Sequence, residues 1–181
     1  MAKRLDKLIV IDVESTCWEQ YPPDGQFNEI IEIGVCVFNL KTWEIENSED
    51  IFVKNQYSKI SEFCTKLTTI TQEMIDKNGI SFKEACDKLK RYKERPWASW
   101  GDYDRKQFER QCFYPRNKYG AIYPFGTHIN LKNLFAIKAK LTKEVGMEEA
   151  LKMYKMGIQG THHRAVDDAI NITRLAGKIL V

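Results

Sequence analysis

Acidic residues gather in three short segments of this sequence. Asp12 and Glu14 close an apolar run as Ile11-Asp12-Val13-Glu14, Asp102 and Asp104 follow Ser99-Trp100-Gly101, and Asp167 and Asp168 end His162-His163-Arg164-Ala165-Val166-Asp167-Asp168. Alternate residues of an extended strand share a face, so the carboxylates of Asp12 and Glu14 point the same way. Two anions side by side cost free energy unless a cation lies between them, and an all-oxygen donor set suits hard divalent ions such as Mg²⁺. On its own the Asp-x-Glu pair also fits one acid capping a turn beside a second in water. Helix geometry separates the third pair. At 100° per residue, Ala169, Ile172, Ala176 and Ile179 fall within about 40° of Ala165, which defines a buried stripe. Asp168 lies about 60° from the centre of that stripe and Asp167 about 160° away, so Asp168 reaches the rim of the core while Asp167 faces water. An acid at the rim of a core needs a partner, and a metal ion supplies one. His163 precedes Asp168 by five residues and leans over the same site. His128 and His162 have no comparable spacing and read as ordinary surface histidines.

The elements that must hold these groups can be read in order. Leu8–Val13 is a short strand, apolar on both faces as a central strand requires. After a loop carrying Pro22-Pro23-Asp24-Gly25, Ile30–Phe38 is a second strand, and Thr42–Glu46 with Ile51–Lys54 continue the β character. Residues 8–54 therefore read as three strands with short connections, which suits antiparallel pairing. Thr71–Lys77 is a short helix ended by Asn78-Gly79. Ser81 and Glu84 form a capping-box signature that opens a helix to about Arg95. Trp97–Trp100 is a fourth strand and Tyr103–Cys112 a helix. Beyond a Pro- and Gly-marked loop at 114–126, Asn130 caps a helix through Lys140, Met147–Lys155 is another, and the last runs from Arg164 to Leu180. Strands followed by alternating helix and strand give an α/β fold with a mixed sheet. No repeat, low-complexity tract or linker divides residues 1–181, so one domain is expected.

The chain has 181 residues, 43% hydrophobic and 29% charged, which excludes a disordered chain, a collagen-like repeat and a disulfide miniprotein. No stretch approaches the roughly 18 to 20 apolar residues that cross a bilayer. The run Ile30–Leu40 is too short and carries Glu32. The N-terminus, Met1-Ala2-Lys3-Arg4-Leu5-Asp6-Lys7, is basic but leads into a short apolar run broken by Asp12, unlike a signal peptide. Five cysteines, at 17, 36, 64, 86 and 112, include no Cys-x-x-Cys pair and read as thiols of a cytoplasmic protein. Net charge is +3, yet residues 103–143 hold nine Lys or Arg against Asp104 and Glu109, so that segment is +7 and the remainder −4. Such a segment suits a polyanionic partner, since each cation can neutralise a phosphate, and equally suits a solvated helix face.

Together, Ile11-Asp12-Val13-Glu14-Ser15-Thr16-Cys17, the Asp-Tyr-Asp cluster and His163-x4-Asp168 resemble the DEDDh 3′–5′ exonucleases, whose fold is RNase H-like. Within them the chain is most similar to the branch that holds histone-mRNA 3′-end exonucleases and RNA-interference-regulating exonucleases. That likeness includes Asn28–Gly34, Ser61–Gln72 and the segment from Trp100 to Cys112, and so covers nearly the whole chain. It implies a central mixed five-stranded sheet flanked by helices. It also implies that Asp12, Glu14, Asp104 and Asp168 hold two Mg²⁺ or Mn²⁺ ions, with His163 as general base. Asp104 is chosen over Asp102 because the family's second acid precedes a helix with an aromatic residue a turn later, here Phe108; Asp102 better fits that helix's N-cap. By the same resemblance, Leu67 and Ile70 flank the 3′-terminal nucleotide, although core packing is the competing role for each. Arg105 and Lys106 would guide upstream phosphates. Thr69 departs from the family's usual Gly. Larger members carry an N-terminal RNA-binding module, whereas this chain starts at strand one. The implied reaction releases nucleoside 5′-monophosphates from RNA 3′ ends, on single strands or short overhangs, with nucleic acid as partner and no membrane. A proofreading-type DNA exonuclease and a catalytically silent nucleic-acid-binding domain are the alternatives.

Overall fold

The sheet is built from β1 (Lys7–Ser15), β2 (Ile30–Asn39), β3 (Glu44–Phe52), β4 (Trp97–Ser99) and β5 (His128–Asn130), in the order β3-β2-β1-β4-β5. The structure is a computed structural model that describes residues 4–113 and 117–181. Arg116 of the basic segment and Met1, Ala2 and Lys3 of the basic N-terminus lie outside the described residues. β1 is central, which is why it is apolar on both sides. Leu8 and Val10 face one helical layer and Ile9, Ile11 and Val13 the other, each 5% exposed or less. β2 and β3 pair antiparallel, as do β1 and β2, whereas β4 runs parallel to both β1 and β5.

β3 is one continuous strand, not two β runs. Its middle, Asn47–Asp50, is polar because an edge strand need not bury either face, and its acids discourage pairing with another chain. β5 escaped the sequence reading because three residues are too few to show a period.

The helices among the described residues are α1 (Glu62–Thr68), α2 (Gln72–Asn78), α3 (Phe82–Leu89), α4 (Tyr103–Phe113), α5 (Leu131–Lys138), α6 (Met147–Met153) and α7 (Ala165–Leu180). Thr71 and Asn130 cap α2 and α5 through their side chains, and Ser81 with Glu84 makes the expected capping box on α3. The helix predicted to reach Arg95 instead ends at Leu89 and passes into one 3₁₀ turn over Lys90–Tyr92. α1 lies inside Ser61–Gln72, where no helix was expected. Ser61 caps it without an acid three residues on, so the capping-box signature is missing. α3 and α4 cover Ile9, Ile11 and Val13 with Phe82, Leu89 and Phe108; α5, α6 and α7 cover Leu8 and Val10 with Phe135, Leu151 and Ile172. The predicted stripe of α7, from Ala165 through Ala169, Ile172 and Ala176 to Ile179, is buried throughout.

Candidate active site

Asp12 and Glu14 continue the side of β1 that Leu8 and Val10 begin, and therefore open towards α7. Across the sheet, Asp12 stands opposite Gly34 and Glu14 opposite Glu32. A Cβ at Gly34 would lie 1.9 Å from the Ala165 carbonyl oxygen, so only a residue without a side chain lets the first turn of α7 rest on the strand. Glu32 is 0% exposed and fastens that turn. Its carboxylate accepts hydrogen bonds from Arg164 Nε at 2.9 Å and from the Ala165 N–H at 2.7 Å, and Arg164 also reaches Asp50 at 3.3 Å. A carboxylate at the start of a helix also opposes the helix dipole favourably.

Asp168 projects from this anchored turn onto β1. One oxygen, Oδ2, accepts the His163 N–H at 3.0 Å; the other, Oδ1, is buried with no hydrogen-bond partner among the described residues. Asp167 is half-buried rather than facing water. Its carboxylate turns back on the preceding loop and accepts the Thr161 N–H at 2.7 Å, away from the cleft. Asp104 enters from the first turn of α4, 4% exposed, and accepts the Val13 N–H at 3.0 Å. Asp102 lies outside. Its carbonyl receives the Lys106 N–H, as a residue at the helix boundary should, and its carboxylate holds Arg105. Despite the opposing pull of partial burial, Arg105 keeps the Asp102 carboxyl below its usual range. Asp12, Glu14, Asp104, Asp168 and both His162 and His163 thus line one cleft of about 300 Å³.

Electrostatics in the cleft favour proton or metal uptake. Burial, then Asp104 and Glu14, pushes the Asp12 carboxyl well above the usual carboxylate range. Burial, then Asp168 and Glu32, raises Glu14 to about 9. Burial also raises Asp104 and Asp168 to about 6 each, against the backbone N–H groups that hold them down. These shifts are the free-energy cost of crowding acids in a poorly solvated place. Carboxylate oxygens of Asp12, Glu14 and Asp168 lie within 4.8 Å of one another, and the unpartnered Oδ1 of Asp168 is a buried acceptor in want of a donor or a cation. The residues therefore fit a hard divalent ion. Asp104 shares the cleft but not this tightest set. His163 stands with Nδ1 3.9 Å from Glu14 Oε1, and burial, then the His162 charge, lowers its pKa, so its imidazole is neutral near pH 7.

The other predicted site residues are placed less uniformly. Leu67 is 38% exposed beside Phe63 on α1. Ile70 is 0% exposed, packed with Ile31, Cys64 and Ile75, and so cannot face a nucleotide; here core packing prevails. Arg105 is held between Asp102 and Glu109, while Lys106 on the same helix is exposed. The basic segment is not one patch. α4 packs on one face of the sheet and α5 on the other, Lys132 pairs with Glu144 at 3.5 Å, and Lys138 caps the last carbonyls of α7. Glu32 and Arg164 were missed by sequence reasoning, although a lone acid in the apolar run Ile30–Phe38 signals a buried partner. No helix among the described residues is long and apolar enough to cross a membrane.

A family model described as exonuclease, RNase T, matches residues 9–176. Human 3'-5' exoribonuclease 1 is 32% identical over 97% of this chain and 52% of its own length. The probable 3'-5' exonuclease KapD of Bacillus subtilis is 28% identical over 94% of this chain and 82% of its own. Among solved structures, the nuclease domain of 3'hExo, a DEDDh family member bound to rAMP, is similar with a TM-score of 0.81 and 28% identity, covering 99% of this chain and 94% of that one. The fold is accordingly RNase H-like, as expected. The chain spans about half the length of the mammalian exoribonucleases it matches.

Proposed function

Because the chain belongs to the RNase T exonuclease family, we propose that it is a divalent-metal-dependent 3′–5′ exonuclease that removes nucleoside 5′-monophosphates from single-stranded RNA or short 3′ overhangs. The observation that carries this reading is the convergence of Asp12, Glu14, Asp104 and Asp168, from three separate elements, on one cleft beside His163. DEDDh exonucleases depend on divalent metal. In our reading Asp12, Glu14, Asp104 and Asp168 hold two ions, Mg²⁺ or Mn²⁺. When bound, these ions supply Lewis acidity for the attacking water and for the departing 3′-oxygen.

The chain's own residues do the rest. Fully ionised, the four carboxylates would carry −4 and repel phosphate; the raised values of Asp12 and Glu14 show how strongly that charge is opposed without a cation to balance it. His163, neutral near pH 7 and 40% exposed, takes the proton as water attacks the terminal phosphorus and the bond to the 3′-oxygen of the penultimate nucleotide breaks. Leu67 offers an apolar side chain to the terminal base, and the exposed Lys106 and Arg110 of α4 attract the upstream backbone. The five cysteines support a cytoplasmic location.

Matched RNA and DNA oligonucleotides, labelled at the 5′ end and incubated with Mg²⁺, Mn²⁺ or excess chelator, test the proposal. RNA should shorten stepwise from its 3′ end with either ion and remain intact in chelator. Robust cleavage in excess chelator would sink the metal-dependent reading, and faster loss of DNA than RNA would reverse the substrate assignment.

A further inference from the structure

We propose that His162, His163 and Asp168 form a second, nitrogen-containing cation site that takes zinc in preference to magnesium. Neighbouring residues of an extended chain point in opposite directions. His163, however, sits at φ +65°, in the left-handed region that costs a non-glycine residue about 1 kcal/mol or more. That turn brings both imidazoles to one side, stacked with ring centroids 4.0 Å apart and planes 14° from parallel. A donor atom from each ring and a carboxylate oxygen of Asp168 lie within 4.8 Å of one another, with His162 Nε2 3.8 Å from Asp168 Oδ2, and one ring turns out of the stack about its Cβ–Cγ bond so that the in-plane lone pairs of both meet the ion. Asp168 is 5% exposed and its Oδ1 has no hydrogen-bond partner among the described residues, so this buried carboxylate has an acceptor free for a cation.

The donor set decides the ion. Two imidazoles and one carboxylate, with a position left open, are what zinc commonly takes, and zinc outranks earlier divalent ions on nitrogen ligands. Mg²⁺ prefers oxygen and sheds water reluctantly, so it stays with the acids. The two sites share Asp168 and cannot both be filled independently. Zinc bound here occupies His163 and Asp168 together within the cleft, so it opposes Mg²⁺-supported turnover. That consequence rests on the proposed exonuclease reading; the binding itself does not.

The test is calorimetric titration of chelator-stripped protein with zinc, for the parent and for His162→Ala, His162→Gln and Asp104→Asn. Cobalt(II) absorption gives a second readout. Both His162 variants should bind zinc about tenfold or more weakly and lose the cobalt bands of a nitrogen-containing site. Asp104→Asn should stay within about threefold of the parent, because Asp104 belongs only to the oxygen-lined set. His162→Gln keeps size and polarity, and thermal melting of both His162 variants close to the parent's excludes a folding defect. Equal zinc affinity in parent and both His162 variants overturns the site, as does a loss confined to Asp104→Asn. If zinc binds as described while RNA stays intact in Mg²⁺, the zinc site stands and the nuclease reading falls.

Discussion

Gly34→Ala tests whether close contact between β2 and α7 sets the catalytic geometry. The new Cβ would stand 1.9 Å from the Ala165 carbonyl oxygen, 2.1 Å from its carbon and 2.4 Å from the Val166 nitrogen, all backbone atoms that no rotamer change can move. Restoring ordinary contact at about 3.4 Å pushes the first turn of α7 away from the strand by about 1.5 Å. Asp168 and His163 travel with that turn, whereas Asp12 and Glu14 stay on β1. A misplacement of about 1 Å at a reacting centre can cost on the order of 10²-fold, so single-turnover cleavage of 5′-labelled RNA in Mg²⁺ should fall by about that factor or more. Overpacking should also cost about 1–3 kcal/mol of stability, read by thermal denaturation. Unfolded-chain entropy acts in the opposite direction, since Gly→Ala ordinarily stabilises by about 0.4–1 kcal/mol, so any net loss reports the clash. Gly177→Ala is the control. Its Cβ would meet only Phe38 Cζ, at 3.5 Å, so this change inside α7 should raise stability by up to about 1 kcal/mol and leave cleavage alone. A Gly34→Ala protein that melts and cleaves like the parent would refute the positioning argument.

Three further outcomes follow from the same geometry. Acids with a folded pKa above the unfolded value near 4 make the native state bind more protons, so their contribution to stability is lost as pH rises through the folded values. With Asp104 and Asp168 at about 6 and Glu14 at about 9, stripped protein should melt higher at pH 5 than at pH 8, and Mg²⁺ should raise the melting temperature more at pH 8; a stripped protein that gains stability from pH 5 to 8 contradicts this. Asp104→Asn should abolish RNA cleavage while Asp102→Asn, which weakens pairs with Arg105 and His128 outside the cleft, keeps most of it; equal losses would show that Asp102 shares the chemistry. Thr69 ends α1 at φ +64°, a left-handed position where a β-branched residue is strained, so Thr69→Gly should stabilise the protein by about 1 kcal/mol in denaturant unfolding, and destabilisation would show that the side chain has a compensating role.

How far the site was legible in the sequence depended on the kind of constraint behind each residue. Asp12 and Glu14 were readable because strand alternation is local, and Asp168 because a helix of sixteen residues shows its phase clearly. The Thr69 departure was visible too, but its meaning is a backbone one: the position demands a left-handed conformation as the cap of a helix that had not been foreseen. Ile70 and the basic segment failed for a common reason. Both depend on long-range packing, Ile70 in a small cluster with Ile31, Cys64 and Ile75 and the basic helices α4 and α5 on opposite faces of the sheet, which no local period records. Asp104 could be separated from Asp102 only by resemblance, because its carboxylate is fixed by a hydrogen bond to Val13, a partner 91 residues away in the chain.

The same distinction explains why four acids can be assembled here at all. Raised pKa values at Asp12, Glu14, Asp104 and Asp168 mean that the cleft by itself resists its own charge, so packing elsewhere must hold the carboxylates together. Asp12 and Glu14 are tied by the ladder between β1 and β2, and Asp104 by α4 resting on Phe108. Asp168 depends on the first turn of α7, where Gly34 permits contact and Glu32 holds both Arg164 and the Ala165 N–H. Glu32 is itself an acid that adds to the repulsion on Glu14 and Asp168, so it suits this position only because Arg164 pairs with it. Chain positions 32, 34 and 164 therefore act on the chemistry without entering the cleft. They set the distance between one carboxylate on a helix and two on a strand, the dimension on which cation binding depends.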